Sequence, residues 1–264
     1  MASEDLRIAE PLRTVTVGAF DTAVLTRRGL ADLMVNDCLS LRQDPANKRP
    51  KLVFSSNGQG IALAGRDPNF AQAMRQADII HADGMSVVFA SRLTSHPLPE
   101  RISTTDFFHD AAHVAATHKL KFFLLGADEE QNAAATTIAS EMYPSVEIVG
   151  RHHGYFGVDD DARICQLIRQ SGAEVLWVAL GKPRQEYWCV QNRDQLRGVA
   201  WIKTCGGLYS FLAGDAPRAP RWMQATGLEW LYRTLDDPKR LAWRYITTNP
   251  YAFYRLLKYT EHRR

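Results

Sequence analysis

Residues 78–88 read DIIHADGMSVV, two β-branched apolar residues, an acid on a glycine turn, and a second apolar run of helical spacing. The first run predicts a strand and the second a helix starting near Met85, so Asp83 and Gly84 occupy a strand-to-helix turn. The same alternation recurs along the body. Short β-rich runs at Thr14 to Val17, Lys51 to Phe54, Asp78 to His81, Leu120 to Leu125, Val146 to Val149, Val175 to Leu180 and Val199 to Thr204 are separated by helical patterns. That pattern predicts an α/β fold, Rossmann-like, with a largely parallel sheet flanked by helices. Several runs end in glycine (Gly126, Gly181, Gly206, Gly207), where the chain turns toward the next helix. Ligands of such folds bind outside the carboxyl ends of the strands, which is where Asp83 sits.

After Gly214 the pattern changes to a helical appendage. Asp237-Pro238 predicts the restart of a helix and Asn249-Pro250 the end of one. From Pro217 to Arg264 there are 10 Lys/Arg against 4 Asp/Glu, whereas the whole 264-residue chain carries only +3. This segment also holds 9 of the 26 aromatic residues. The expected division is an α/β core over 1–215 and a basic, aromatic-rich appendage over 216–264.

The N-terminal MASEDLRIAEPLR has charges where a signal peptide needs its apolar region, and no apolar run approaches the ~18 residues of a membrane span. A cytoplasmic protein is expected. Cys38, Cys165, Cys189 and Cys205 are scattered, without a CxxC pair, and predict reduced, mostly buried thiols rather than a zinc site or disulfide framework.

Taken alone, Asp83 fits a helix cap better than a catalytic base, although its place at a strand end suits both. Ser55, Ser56, Asn57, Gly58 and Gln59 form a second polar turn with donors and acceptors for sugar hydroxyls, or simply a loop. The stretch Gly181-Lys182-Pro183-Arg184-Gln185-Glu186 lacks both GxGxxG and GxxxxGK[ST], which argues against NAD binding and Walker-type ATP hydrolysis. Asp159 to Asp161 read as the acidic start of a helix rather than a metal site, and His152 and His153 have no partner at ligand spacing. Arg233, Arg240 and Arg244 would share one face of a continuous helix and could clamp a diphosphate. The aromatic residues among them favour a membrane surface or lipid-linked ligand over plain solvation.

Several stretches in order, SSNGQG, ADIIHADGMSVVFASRL, PLPERISTTDFF, VALGKPRQE, KTCGGLYSFLAG, RAPRWMQATGLEWLYR and DPKRLAWRY, resemble the WecG/TagA/CpsF glycosyltransferases of bacterial cell-surface glycan assembly. The resemblance runs from about Thr14 to the end. It implies inverting, metal-independent transfer from a UDP-sugar to a saccharide on a polyprenyl diphosphate, with no cofactor. It also implies that Asp83 is the general base and that Ser55, Asn57, Gln185, Arg233, Arg240 and Arg244 bind substrate. Thr104 stands where many members have glycine. HADGM, TTDFF, KTCGG and TTNP look more like the exopolysaccharide branch, which favours UDP-glucose over N-acetylmannosamine, N-acetylmannosaminuronic acid or glucuronic acid as the donated sugar.

The expected partners are therefore the UDP-sugar, the lipid-linked acceptor and an anionic membrane surface. A nucleic acid is not expected, and a homo-oligomer is left open. At about 1 kcal/mol per basic residue, a net +6 would give at most ~6 kcal/mol of attraction to such a surface, enough for reversible attachment. The rival readings are a non-enzymatic peripheral membrane scaffold and another UDP-sugar enzyme such as an epimerase.

Overall fold

A computed structural model describes residues 12–45 and 48–263, the Arg240 side chain lying outside the described set. Six strands, β3 (Lys51–Ser56), β4 (Ile79–Ala82), β5 (Lys121–Gly126), β6 (Glu147–His152), β7 (Val175–Ala179) and β8 (Trp201–Thr204), form one sheet. Their order is β4-β3-β8-β7-β5-β6, and every neighbouring pair is parallel.

The strand residues alternate between two apolar layers, as the period of two requires of a sheet buried on both faces. Val53, Ile79, Phe122, Trp177 and Trp201 face α1 (Arg27–Gln43), α5 (Thr104–His118), α6 (Glu129–Met142) and α9 (Leu208–Leu212). Phe54, Ile80, Phe123, Val178 and Ile202 face α2 (Gly58–Arg66), α3 (Pro68–Arg75), α4 (Met85–Ser91), α7 (Asp161–Gln170) and α8 (Arg184–Asn192). Gly126 is required where β5 passes β7, since a Cβ there would lie 2.3 Å from the Ala179 carbonyl oxygen.

Two local expectations are corrected. β1 (Thr14–Val17) is not a strand of the parallel sheet; it pairs antiparallel with β2 (Phe20–Ala23) in a separate hairpin. The cause is the two-residue turn Gly18-Ala19, both at positive φ, which folds the chain back at once. Asn249-Pro250 does not end a helix: α12 (Pro238–Lys258) runs through Pro250. Packing outweighs the proline, because Tyr251 donates to the Gly65 carbonyl at 3.1 Å and Ala252 and Leu256 are buried. The restart at Pro238 is as expected, with only Asp237 between it and the end of α11 (Glu229–Asp236).

The C-terminal segment also grips the core at both ends. Arg66 donates to the Thr247 carbonyl, while beyond α12 the Tyr259 carbonyl and the Thr260 hydroxyl accept from Ala19 and Gly18 of the hairpin turn. All four cysteines are free and buried.

Candidate active site

Asp83 follows β4 directly, and its N–H donates to the Ser56 carbonyl across the sheet end at 2.8 Å. The capping reading fails here. Gly84 is the N-cap of α4, and no side chain caps that helix. The Asp83 carboxylate instead accepts from the Thr104 N–H at 2.9 Å and from the Asn57 amide at 3.2 Å. Asn57 itself caps α2, its Oδ1 accepting from Gly60 N–H at 3.0 Å. Gly84 permits this approach, because a Cβ there would stand 3.1 Å from Asn57 Cβ.

Arg101 donates from Nε to the Asp83 carbonyl at 2.6 Å and pairs with Glu229 of α11 at 2.7 Å. Burial opposes ionisation of Asp83. The Arg101 guanidinium, the Thr104 N–H and the Asn57 amide outweigh it and hold the carboxyl below its usual range. Asp83 is therefore ionised at neutral pH.

Asp83, Asn57 and Arg101 form one wall of a cavity of about 420 Å³. The other wall belongs to the C-terminal segment and includes Glu229, Trp230, Arg233, Arg244, Tyr245 and Phe253. Arg233 lies over the Phe211 ring at 5.4 Å, and Arg244 over Tyr245 at 4.9 Å. Among the described residues neither guanidinium has a carboxylate partner. Arg233 and Arg244 sit on different helices, since the chain breaks helix at Asp237, yet both reach the same cavity.

Ser55 and Gln185 lie beneath the cavity rather than on its surface. The Ser55 carbonyl accepts from Lys182 Nζ at 3.0 Å, and Lys182 pairs with Glu186 at 2.7 Å. Gln185 donates to Glu186 at 2.9 Å and accepts from Gly206 N–H at 3.1 Å, tying the ends of β7 and β8 together. Deeper still, His81 and Lys203 flank β3 on the face covered by α5, where His81 is 6.3 Å from the Phe107 ring. Burial, reinforced by Lys203, keeps His81 neutral. Burial also brings Lys203 down to about 8, with Nζ donating to the Thr204 carbonyl at 2.6 Å.

The acidic run at 159–161 starts a helix as expected: Asp160 pairs with Arg163 at 3.1 Å, and Asp161 accepts from the Trp188 indole at 2.8 Å. Among the described residues no group of three or more His, Cys, Asp or Glu is placed to hold a metal ion.

Sequence reading singled out neither Arg101 nor the Thr104 N–H as contacts of Asp83. Both lie in PLPERISTTDFF, where the apolar-to-helix transition at Ser103 marked a turn and nothing marked its approach to residue 83. Thr104 serves through its backbone, so its side-chain identity carried no signal.

Comparisons with known proteins return relatives that share a name and one family model. A 32% identical relative from Bacillus subtilis (strain 168), matched over 199 residues, covers 75% of this chain and 76% of its own length. Its name is N-acetylglucosaminyldiphosphoundecaprenol N-acetyl-beta-D-mannosaminyltransferase. A relative of the same name from Staphylococcus aureus (strain NCTC 8325 / PS 47) is 29% identical over 206 residues, 78% of this chain and 79% of its own. The model of the WecG/TagA/CpsF glycosyl transferase family matches residues 25–264, which spans β3, β4 and both cavity walls, and the chain belongs to that family.

Proposed function

We propose that the chain transfers a hexose from a UDP-sugar to a sugar carried on a polyprenyl diphosphate, with inversion at C1 and without a metal ion. The observation that carries this reading is the ionised Asp83 facing Arg233 and Arg244 across one cavity. Asp83 takes the proton of the acceptor hydroxyl as that oxygen attacks C1, and UDP departs from the opposite face. General-base assistance of this kind contributes roughly 10²- to 10⁴-fold. The charge that develops on the departing diphosphate meets the guanidiniums, which offer bidentate donors without proton loss. Asn57 orients Asp83, while Ser55 and Gln185 shape the strand ends beneath the substrates. Arg240 belongs to the same proposed clamp on sequence grounds alone.

The proposed donor is UDP-glucose, supported by HADGM, TTDFF and KTCGG, in assembly of an exopolysaccharide or other cell-surface glycan. A second reading, N-acetylmannosamine, is favoured by the names of the relatives. The segment 216–264 is proposed to cover the site and to contact an anionic membrane from the cytoplasmic side. Trp243, Ile246 and Phe253 support that contact, being 74%, 67% and 64% exposed on α12. None of the described helices is long and apolar enough to cross a membrane.

The test is a panel of UDP-sugars with a synthetic lipid-diphosphate monosaccharide, with and without chelator, reading UDP release and the anomeric configuration of the product. Conversion of donor without acceptor would indicate an epimerase. No turnover with any donor would leave the scaffold reading, and restoration by magnesium after chelation would refute metal independence.

A further inference from the structure

A second cavity, of about 560 Å³, opens where the core meets the C-terminal segment and is lined by Arg27, Asp106, Arg218, Arg221 and Gln224. Its lining carries three guanidiniums against one carboxylate. We infer that this cavity receives the diphosphate of the lipid-linked acceptor, separate from the arginines that meet the donor's diphosphate; the inference rests on the function proposed above.

Three observations support it. First, the cationic groups are only partly spent. Arg218 pairs with Asp106 at 3.1 Å and donates to Gln224 at 2.8 Å, but its Nε has no hydrogen-bond partner. Arg221 is exposed and, among the described residues, has no carboxylate partner. Arg27, drawn toward Asp110 at 3.2 Å and lying 3.9 Å from Asp106, is the most engaged of the three. Second, the long helices α1 and α5 both begin here, Arg27 being the first residue of α1 and Asp106 lying in the first turn of α5, so two helix N-termini add positive potential.

Third, one turn of α5 links the cavity to the proposed base. The turn of α5 that presents Asp106 to Arg218 also presents the Thr104 N–H to Asp83. Phe211 stands between the two basic groups, with Arg218 at 5.8 Å and Arg233 at 5.4 Å from its ring centroid. A monosaccharide whose hydroxyl approaches Asp83 would thus hold its anomeric diphosphate toward Arg218 and Arg221. Guanidinium forks match phosphate oxygens in pairs. Asp106 holds Arg218 in place and competes with the ligand for it.

The experiment uses the full chain with a water-soluble, short-chain prenyl-diphosphate monosaccharide as acceptor. Arg221→Ala removes an exposed side chain with no ion pair among the described residues, and Arg218→Gln removes the inner one. Each should raise the acceptor KM roughly tenfold or more, the loss of a charge-assisted contact, while the KM for the UDP-sugar holds. Asp106→Asn should lower the acceptor KM. Binding of inorganic pyrophosphate, followed by calorimetry, should weaken in Arg221→Ala whether or not transfer is measurable, which separates this inference from the assigned reaction. Failure of the wild type to use any diphosphate acceptor would instead sink the function. Unchanged acceptor KM in both arginine variants would overturn the inference. So would a loss confined to binding of phosphatidylglycerol vesicles, which would make the cavity a headgroup site.

Discussion

Asp83→Asn tests the base and its hydrogen-bond network together, because the structure dictates where the new amide must go. The asparagine oxygen keeps the Thr104 N–H, now at 2.9 Å from Asp83. Its NH₂ then faces the Asn57 amide, which stands 3.2 Å from the present carboxylate. Two donors oppose one another, and Asn57 cannot flip to relieve them without giving up the cap on Gly60 N–H. The lost charge-assisted bond and the stranded donor cost about 1–3 kcal/mol. For a chain of this size that is a fall in Tm of several degrees, while transfer should drop by roughly 10²- to 10⁴-fold.

A second substitution separates the two effects. In Asp83→Asn combined with Asn57→Asp, the new carboxylate accepts from the asparagine amide and still caps Gly60. Stability should return toward wild type, with a favourable coupling of about 1–2 kcal/mol in a double-mutant cycle. Transfer should stay low, because the carboxylate is displaced from the acceptor hydroxyl. Thermal unfolding by circular dichroism and UDP release measure the two quantities independently. Near-normal turnover in the single variant would refute the base, and an unshifted Tm would refute the network.

Burial lowers Lys203 from 10.5 to about 8, so between those values the unfolded chain binds more protons and stability rises with pH. Lys203→Met should therefore gain up to about 3 kcal/mol near pH 7, an advantage that shrinks toward pH 10; urea melts giving a constant difference would contradict this. Arg233→Lys and Arg244→Lys keep the charge but lose the planar fork, and each should lower kcat more than vesicle binding, with equal losses in both arguing for a membrane role alone. Glu229→Gln frees Arg101 from its 2.7 Å partner. The Asp83 carboxyl should then titrate lower still, moving the acid limb of the pH–rate profile down, and an unmoved limb would show that Arg101 acts only through the backbone. Ending the chain after Asp215 removes the buried Leu241, Ala252 and Leu256 but no strand of the sheet. It should leave a folded but less stable core without transfer activity; full-rate transfer to a soluble acceptor would refute the covering role, and aggregation would refute the two-part division.

The sheet was legible because each strand of a parallel sheet buried on both faces is a short apolar run, and six of the seven such runs here belong to it. Thr14 to Val17 misled because pairing partner and direction depend on the turn that follows. The glycine at 18 was visible, whereas the left-handed conformation of Ala19 was not. Pro250 misled for the opposite reason: a local helix breaker was overruled by contacts with Gly65, distant in sequence. At the site, residue type alone reads Asp83 as a helix cap and Asn57 as a loop residue, and it is the resemblance that groups them with Arg233 and Arg244, which line the same cavity. Groups acting through the backbone or from across the fold were not legible. The Thr104 N–H, the Arg101 bond to the Asp83 carbonyl and the Arg218–Asp106 pair exist only once β4, α5 and the C-terminal segment are brought together.

A carboxylate held below its ordinary range is a reliable base in one respect and a poor one in another. Asp83 is ionised at any pH the cell offers, so no fraction of the protein is lost to protonation, yet its proton affinity is lower than that of an unperturbed aspartate. Brønsted behaviour then limits what proton abstraction alone contributes. Under the proposed mechanism, more of the barrier must be lowered on the departing side, where charge grows on the diphosphate as the bond to C1 breaks. Arg233 and Arg244, which have no carboxylate partner among the described residues, line the cavity for that role. In the proposed mechanism the core thus supplies a base that is always ready and weak, and α11 and α12 supply the electrostatic stabilisation that makes a weak base sufficient. The Arg101–Glu229 pair joins the two, since the cation that depresses Asp83 is itself held by the helix that carries Arg233.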